Sequence, residues 1–383
     1  MARSLASNAL TLLVLVLAAL AGLLGWAQSQ FRGPGPLAEA VCVQVPSGST
    51  MGAMSRRLAE RGAIAHPALF RLGADYTGRA EALKAGSYLV QPGASMDEII
   101  DTMTGTGRST CGTEVAYRIG VLDAEIEVRE LDPQTQRYEE VLEFDPAAED
   151  APAAYGDVLT APGTRFRVIV AEGTTAWQVV DSLSRLDFMS GEAGALPAEG
   201  TLAPGSYEVR RGADKAVLLG EMRARQDRIL ADLWAARAPD LPLSTPQDAL
   251  ILASIIEKET AVPEERRAVA SVFLNRLRDG MRLQTDPTVI YGITEGRGAL
   301  GRGLRRSELR AATPYNTYVI DGLPPTPIAN PGEASIAAAL DPAETDYLFF
   351  VADGTGGHAF AETLAEHNRN VARWREIEAQ RSE

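Results

Sequence analysis

The chain has 383 residues, with 37 Lys plus Arg against 51 Asp plus Glu and a formal net charge of −14. Roughly two to three ordinary domains fit that length, and 45% hydrophobic with 23% charged residues is the composition of a chain that buries a core. The acidic balance argues against sequence-independent binding to nucleic acid, which needs cations clustered on phosphates, and lysine occurs only at Lys84, Lys215 and Lys258, leaving Schiff-base chemistry few candidates.

From Ala9 to Ala27 the only polar side chain is Thr11, and nothing is charged. A helix of that length, at about 1.5 Å per residue, approaches the roughly 30 Å hydrocarbon thickness of a bilayer. Arg3 and the chain amine precede the run and Arg32 follows it, a bias that puts residues 1–8 in the cytoplasm and the rest outside. A cleaved signal peptide is the alternative, because Ala19-Leu20-Ala21 resembles a cleavage site. The apolar run, however, continues through Leu23, Leu24 and Trp26, further than a signal peptide needs. Residues 28–41, with Gly33, Pro34, Gly35 and Pro36, read as a linker.

An internal echo follows. Val43 to Thr50 leads into an amphipathic stretch from Met51 to Arg61, and Val168 to Thr175 leads in the same way into Ala176 to Leu186. Gly86-Ser87-Tyr88 and Gly205-Ser206-Tyr207 then each open a short strand that precedes a glycine and another helix. The pattern predicts two related α/β units. Between them, residues 109–165 carry alternating runs such as Glu125 to Val128 that predict strands, then an acidic, Ala/Pro-rich stretch from Glu139 to Asp157 that predicts a solvated loop. Cys42 and Cys111 are the only cysteines. In an oxidising compartment they can pair, and two unrelated buried thiols fit equally well.

The second half changes character. A helix is predicted from Leu218 to Ala236 and another from Thr245, an N-cap followed by Pro246 and Asp248. Along the latter, Leu252, Ile255 and Ile256 form an apolar face that Glu259 continues, whereas Glu257 falls with Leu250 and Ser254 on the side expected to be polar. A carboxyl ending a buried stripe loses hydration and holds its proton, as a general acid must. The alternative is a boundary residue paired with an arginine of the next helix, predicted from Pro263 to Asp279. Polar and aromatic loops follow at Arg282 to Thr288, Tyr315 to Tyr318 and Ile328 to Gly332, then a strand, a Gly-rich turn and a return strand around His358, and a surface helix from Glu362 to Arg381. Such loops suit a carbohydrate, and they equally suit plain turns. The overall class is α+β. Gly296 to Gly301 matches G-x-G-x-x-G but lacks a βαβ setting, and His66, His358 and His367 make no metal-spaced set, so no metal is implied.

Taken in order, Leu252 to Thr260, Leu283 to Tyr291, Pro314 to Tyr318, Gly322 to Pro325, Ile328 to Gly332, and Phe350 to Asp353 with Gly356-Gly357-His358 closely resemble the endolytic murein transglycosylase family, also called YceG-like. The resemblance implies a transmembrane helix over 9–27, a LysM-like unit over 42–108, an unmatched insertion over 109–165, and a catalytic domain over 166–383 with its core motifs at 247–368. It implies an inner-membrane protein, anchored by one helix, whose outer domains cut peptidoglycan strands internally after N-acetylmuramic acid to leave 1,6-anhydro ends. Acting on nascent strands, it would influence their length. Glu259 is the implied acid/base, with Glu257 the second choice, and Gln284, Asp286, Tyr291, Tyr315, Asn316 and His358 are expected to line the glycan cleft. The expected partners are glycan strands and cell-wall synthases. No cofactor is implied. A non-catalytic peptidoglycan-binding scaffold and a hydrolytic muramidase are the alternatives.

Overall fold

The computed structural model describes residues 2–105, 109–147, 150–161 and 163–381, with side chains from residue 10 onward. The chain divides into two compact units, the first formed by Met1–Val115, Glu127–Glu143 and Ala151–Arg165, the second by Ala116–Ile126, Phe144–Asp150 and Phe166–Glu383.

In the first unit, helix α1 (Ala2–Arg32) carries an exposed apolar stretch whose most apolar 18 residues have mean hydropathy 2.4, and near its end Phe31 is buried in the core of this unit. The helix is longer than the expected 9–27, because nothing between Gln28 and Phe31 breaks it. It ends where Gly33 N donates to the Ser29 carbonyl at 2.8 Å, so the expected linker loses its first residues. The first α/β copy comprises β1 (Val41–Val45), α2 (Met51–Glu60), α3 (Pro67–Tyr76), β2 (Gly86–Val90) and α4 (Met96–Thr104). β1 and β2 pair antiparallel, Val45 opposite Gly86. Val43, Leu58, Phe70, Tyr88, Ile99 and Met103 form its core, and a disulfide joins Cys42 to Cys111 with Cα atoms 5.7 Å apart.

The strands β3 (Thr113–Ile119), β4 (Ala124–Leu131), β5 (Tyr138–Phe144), β6 (Arg165–Val170) and β7 (Gly205–Val209) are ordered β5-β4-β3-β6-β7 in one sheet. β5 and the helix α5 (Ala153–Thr160) occupy much of the stretch expected to be a solvated loop. The acidic residues there sit on an exposed strand that buries Phe144, and on a helix that buries Tyr155. Net charge marked exposure correctly and secondary structure wrongly.

In the second unit, β6 and β7 pair antiparallel with Val170 opposite Gly205, and α6 (Ala176–Ser184) lies between them in sequence. Helices α7 (Lys215–Ala235), α8 (Pro246–Glu259), α9 (Arg266–Arg278), α10 (Asp286–Thr294) and α11 (Glu333–Leu340) follow, then the hairpin β8 (Phe349–Ala352) and β9 (His358–Ala361), and α12 (Leu364–Arg381). The start of α8 is fixed by a reciprocal box in which Thr245 caps the Asp248 amide and the Asp248 carboxylate accepts from Thr245 N. α8 is the central helix of this core. Every residue from Ala249 to Ile256 is buried, with Val269, Phe273, Leu283, Ile336 and Leu340 among the residues packed around it.

Candidate active site

Burial of α8 on all sides corrects the expected polar face, since Leu250 and Ser254 are as hidden as Leu252 and Ile255. Glu257 and Glu259 therefore differ by their partners rather than by solvent exposure. The Glu257 carboxylate, 6% exposed, accepts Gly332 N at 2.9 Å and lies 4.0 Å from the Arg266 guanidinium. Beside it, the Glu172 carboxyl is pushed up, first by burial and then by the Glu257 charge.

Glu259 ends the helix. Its Oε1 accepts the Thr285 hydroxyl. Burial is the main cause that pushes its pKa up, and the Asp286 charge adds to it. The Thr285 hydrogen bond, His358 and Arg276 oppose the rise without cancelling it. Thr285 is aimed by its neighbours. Gln284 is left-handed at φ 52°, a conformation that costs a non-glycine residue about 1 kcal/mol or more. Its N–H donates to the Thr317 carbonyl at 3.1 Å. Thr285 N donates to Thr317 Oγ1 at 3.0 Å, and Thr288 Oγ1 donates to the Thr285 carbonyl at 2.8 Å. Buried Thr288 and Thr317 thus hold Thr285 so that its hydroxyl reaches Glu259.

Around this pair stand three more groups. Buried Arg276 spends Nε on the Leu348 carbonyl and Nη1 on the Leu283 carbonyl, both at 2.6 Å, which ties the hairpin and the 283–288 loop to α9. The Tyr318 hydroxyl donates to Asp286 Oδ1 at 2.7 Å. Its pKa is raised by burial, then by that hydrogen bond and the Asp286 charge, and Glu259 adds to the rise. His358 on β9 binds Glu265 twice, through backbone N at 2.8 Å and Nδ1 at 2.7 Å, and Thr260 Oγ1 reaches the same carboxylate at 3.4 Å. Glu265 thereby joins the hairpin to the turn that ends α8.

The residues expected in the cleft divide. Asp286 and His358 come together around Glu259, and the Gln284 side chain is exposed beside them. Tyr291 and Tyr315 pack ring against ring at 5.0 Å, and their hydroxyls go to Glu199 and Thr326. Asn316 is fully buried, donates to the Glu308 and Ala311 carbonyls and accepts Tyr318 N, so it shapes the loop that carries Tyr318. Among the described residues no group of three or more His, Cys, Asp or Glu is arranged to hold a metal ion.

Over residues 43–141 and 143–373 the sequence matches the YceG-like family. The chain belongs to that family. Among its relatives, the endolytic murein transglycosylase of Bacillus subtilis strain 168 is 28% identical over 335 residues, which is 86% of this chain and 83% of that protein. The protein of the same name from Streptococcus pneumoniae D39 is 29% identical over 345 residues, 87% of this chain and 58% of that longer one. The crystal structure of a YceG-like protein from Listeria monocytogenes aligns at 27% identity and a TM-score of 0.46, covering 87% of this chain and 99% of that one. Thr285, Thr317, Tyr318, Arg276 and Glu265 are the site residues of this YceG-like chain to which sequence reasoning gave no role. Three of them lie inside the loops that carried the resemblance, but residue type alone does not say which hydroxyl points at the acid.

Proposed function

We propose that this YceG-like protein is an endolytic peptidoglycan transglycosylase with Glu259 as its acid/base. The observation that carries the reading is a buried carboxyl with a raised pKa whose Oε1 is occupied by a positioned threonine hydroxyl, leaving Oε2 to carry a transferable proton. The relatives' names support the substrate. Glu259 first gives its proton to the glycosidic oxygen between N-acetylmuramic acid and N-acetylglucosamine, and the C1–O bond breaks. As carboxylate it then takes the proton of the same sugar's 6-hydroxyl while that oxygen bonds to C1, closing a 1,6-anhydro ring and restoring the acid. No separate nucleophile or water is consumed, so the two-carboxylate requirement of ordinary glycosidases is relaxed.

In this reading α1 anchors the protein in the inner membrane with residues 1–8 in the cytoplasm. The wall-facing units act on nascent strands near the synthases and so influence strand length. The antiparallel pair and helices of the first copy support a LysM-like, glycan-holding role. The test is to incubate the full chain with purified glycan strands and identify the product ends by mass spectrometry. Glu259→Gln is expected to lower cutting about 1000-fold, while Glu257→Gln keeps the same anhydro products. Reducing ends in place of anhydro ends would indicate hydrolysis, with exposed Asp286 positioning water. Undiminished cutting by Glu259→Gln would remove the assignment.

A further inference from the structure

A cavity of about 270 Å³ opens in the second unit, apart from the hydrogen-bonded cluster at Glu259. Its wall includes Pro287, Ile290, Tyr291, Leu300, Ile328 and Lys258. Most of that surface is apolar, and Lys258 brings the cation. The Lys258 ammonium has three donors and, among the described residues, one hydrogen bond, to the Gly173 carbonyl at 3.3 Å. Burial lowers its pKa, and the nearby Glu257 charge opposes that without cancelling it. Glu257 is engaged by Gly332 N and Arg266. Glu199, behind Tyr291, has its oxygens taken by Ala176 N, Gly200 N and the tyrosine hydroxyl, and burial pushes its pKa up, which weakens it as a competing anion.

The position of the cavity says what enters it. Lys258 and Glu259 are consecutive, with Cα atoms about 3.8 Å apart and side chains diverging by about 100° around the helix. A substrate with its reacting bond at Glu259 and an acidic branch on the same sugar would present that branch at Lys258. Peptidoglycan has this form, since the sugar that forms the anhydro ring carries a lactyl group bearing an amino-acid stem with free carboxylates.

We propose that the cavity at Lys258 binds a carboxylate of the peptide stem, with the stem's aliphatic part against Ile290, Leu300 and Ile328. The inference rests on the transglycosylase reading and adds a stem-recognition site to it. Long-range charge works the other way. At −14 the protein repels an anionic strand, so tighter binding of the more acidic strand must come from a local cation.

The experiment measures Kd of fluorescently labelled glycan strands for the full chain in detergent, in a Glu259→Gln background where nothing is cut. The strands carry their stems either intact or with the stem carboxylates amidated. Intact strands are expected to bind about tenfold tighter, the size of one charge-assisted contact. Adding Lys258→Gln should bring the ratio near one, and Lys258→Arg should restore most of it. Equal Kd for both strands, or a ratio unmoved by Lys258→Gln, overturns the proposal. If the parent enzyme still forms anhydro ends in that case, the transglycosylase reading stands without it. Binding of neither strand counts against both.

Discussion

The two α/β copies are built on one plan and put to different uses. In each, a tyrosine of the second strand donates its hydroxyl to the carbonyl four residues back, Tyr88 to Lys84 and Tyr207 to Ala203. In each, a left-handed glycine, Gly48 or Gly173, leads to a threonine that caps the next helix. In the first copy that turn closes on itself, Ser49 N to the Pro46 carbonyl, and a Cβ on Gly48 would meet nothing within 4 Å. In the second copy the turn is gripped by groups from distant parts of the second unit. Gly173 N donates to the Asn330 carbonyl, Asn330 N and Nδ2 both donate to the Thr174 carbonyl, Thr175 donates to the Gly296 carbonyl, and Lys258 reaches Gly173. The difference teaches that a repeated supersecondary unit becomes a scaffold when distant polar groups satisfy the backbone of its turn, with no change in the turn itself.

The largest expected effect separates the copies by what stabilises each. The disulfide spans a sequence separation of 69 residues within the first unit, and a cross-link of that loop length is worth about 4 kcal/mol in the chain-entropy account. Replacing Cys42 and Cys111 together by serine should lower the protection of β1 and β2 amides against hydrogen exchange by about that amount and leave α8 amides unchanged. An equal loss in both units would break the comparison.

Asn330 tests the second copy. Fully buried, its side chain accepts Leu202 N and adds a second donor to the Thr174 carbonyl, which also accepts Asn330 N, so Asn330→Ala strands the buried Leu202 N–H at a cost of about 1–3 kcal/mol. Hydrogen exchange should quicken in α6 and α8. A neutral substitution would mean that the grip on the turn is incidental.

Why Asn330 could not be singled out beforehand applies to the whole molecule. The capping box of α8, the repeat and the candidacy of Glu259 were legible because their signals are local, a few residues or one helical period. The hydroxyl that meets Glu259 comes from Thr285, 26 residues on, and its orientation depends on Thr317, 32 further still. No spacing rule spans such distances. Helical periodicity also misread the face of Glu257, because it assumes one wet side and α8 has none. Asn316 was legible as a special amide and illegible as a structural one, since its partners are backbone carbonyls of a loop with no period.

The smallest effect has opposite signs in the two units. In the first, the Glu98 carboxylate closes the box at the start of α4, accepting Ser95 N and Oγ at 2.8 Å each, and those hydrogen bonds hold its pKa below the usual range. Its contribution is present above the ordinary glutamate pKa of roughly 4.3 and is lost as pH falls through the lower folded value. In the second unit, burial raises Glu199 and Glu259, so the folded state holds their protons more tightly than the unfolded chain does. That contribution is fully present below the ordinary value and is lost as pH rises through the raised ones. Acidification should therefore loosen α4 amides, and a rise above the ordinary range should loosen α8 amides. Under the proposed acid role of Glu259, cutting should decline over the same upper window, because that role needs the proton that is then lost to solvent. Drift of both helices in the same direction, or a cutting rate that climbs as Glu259 ionises, would show that the buried carboxyl works as an anion and would return Glu259 to the role of a structural helix end.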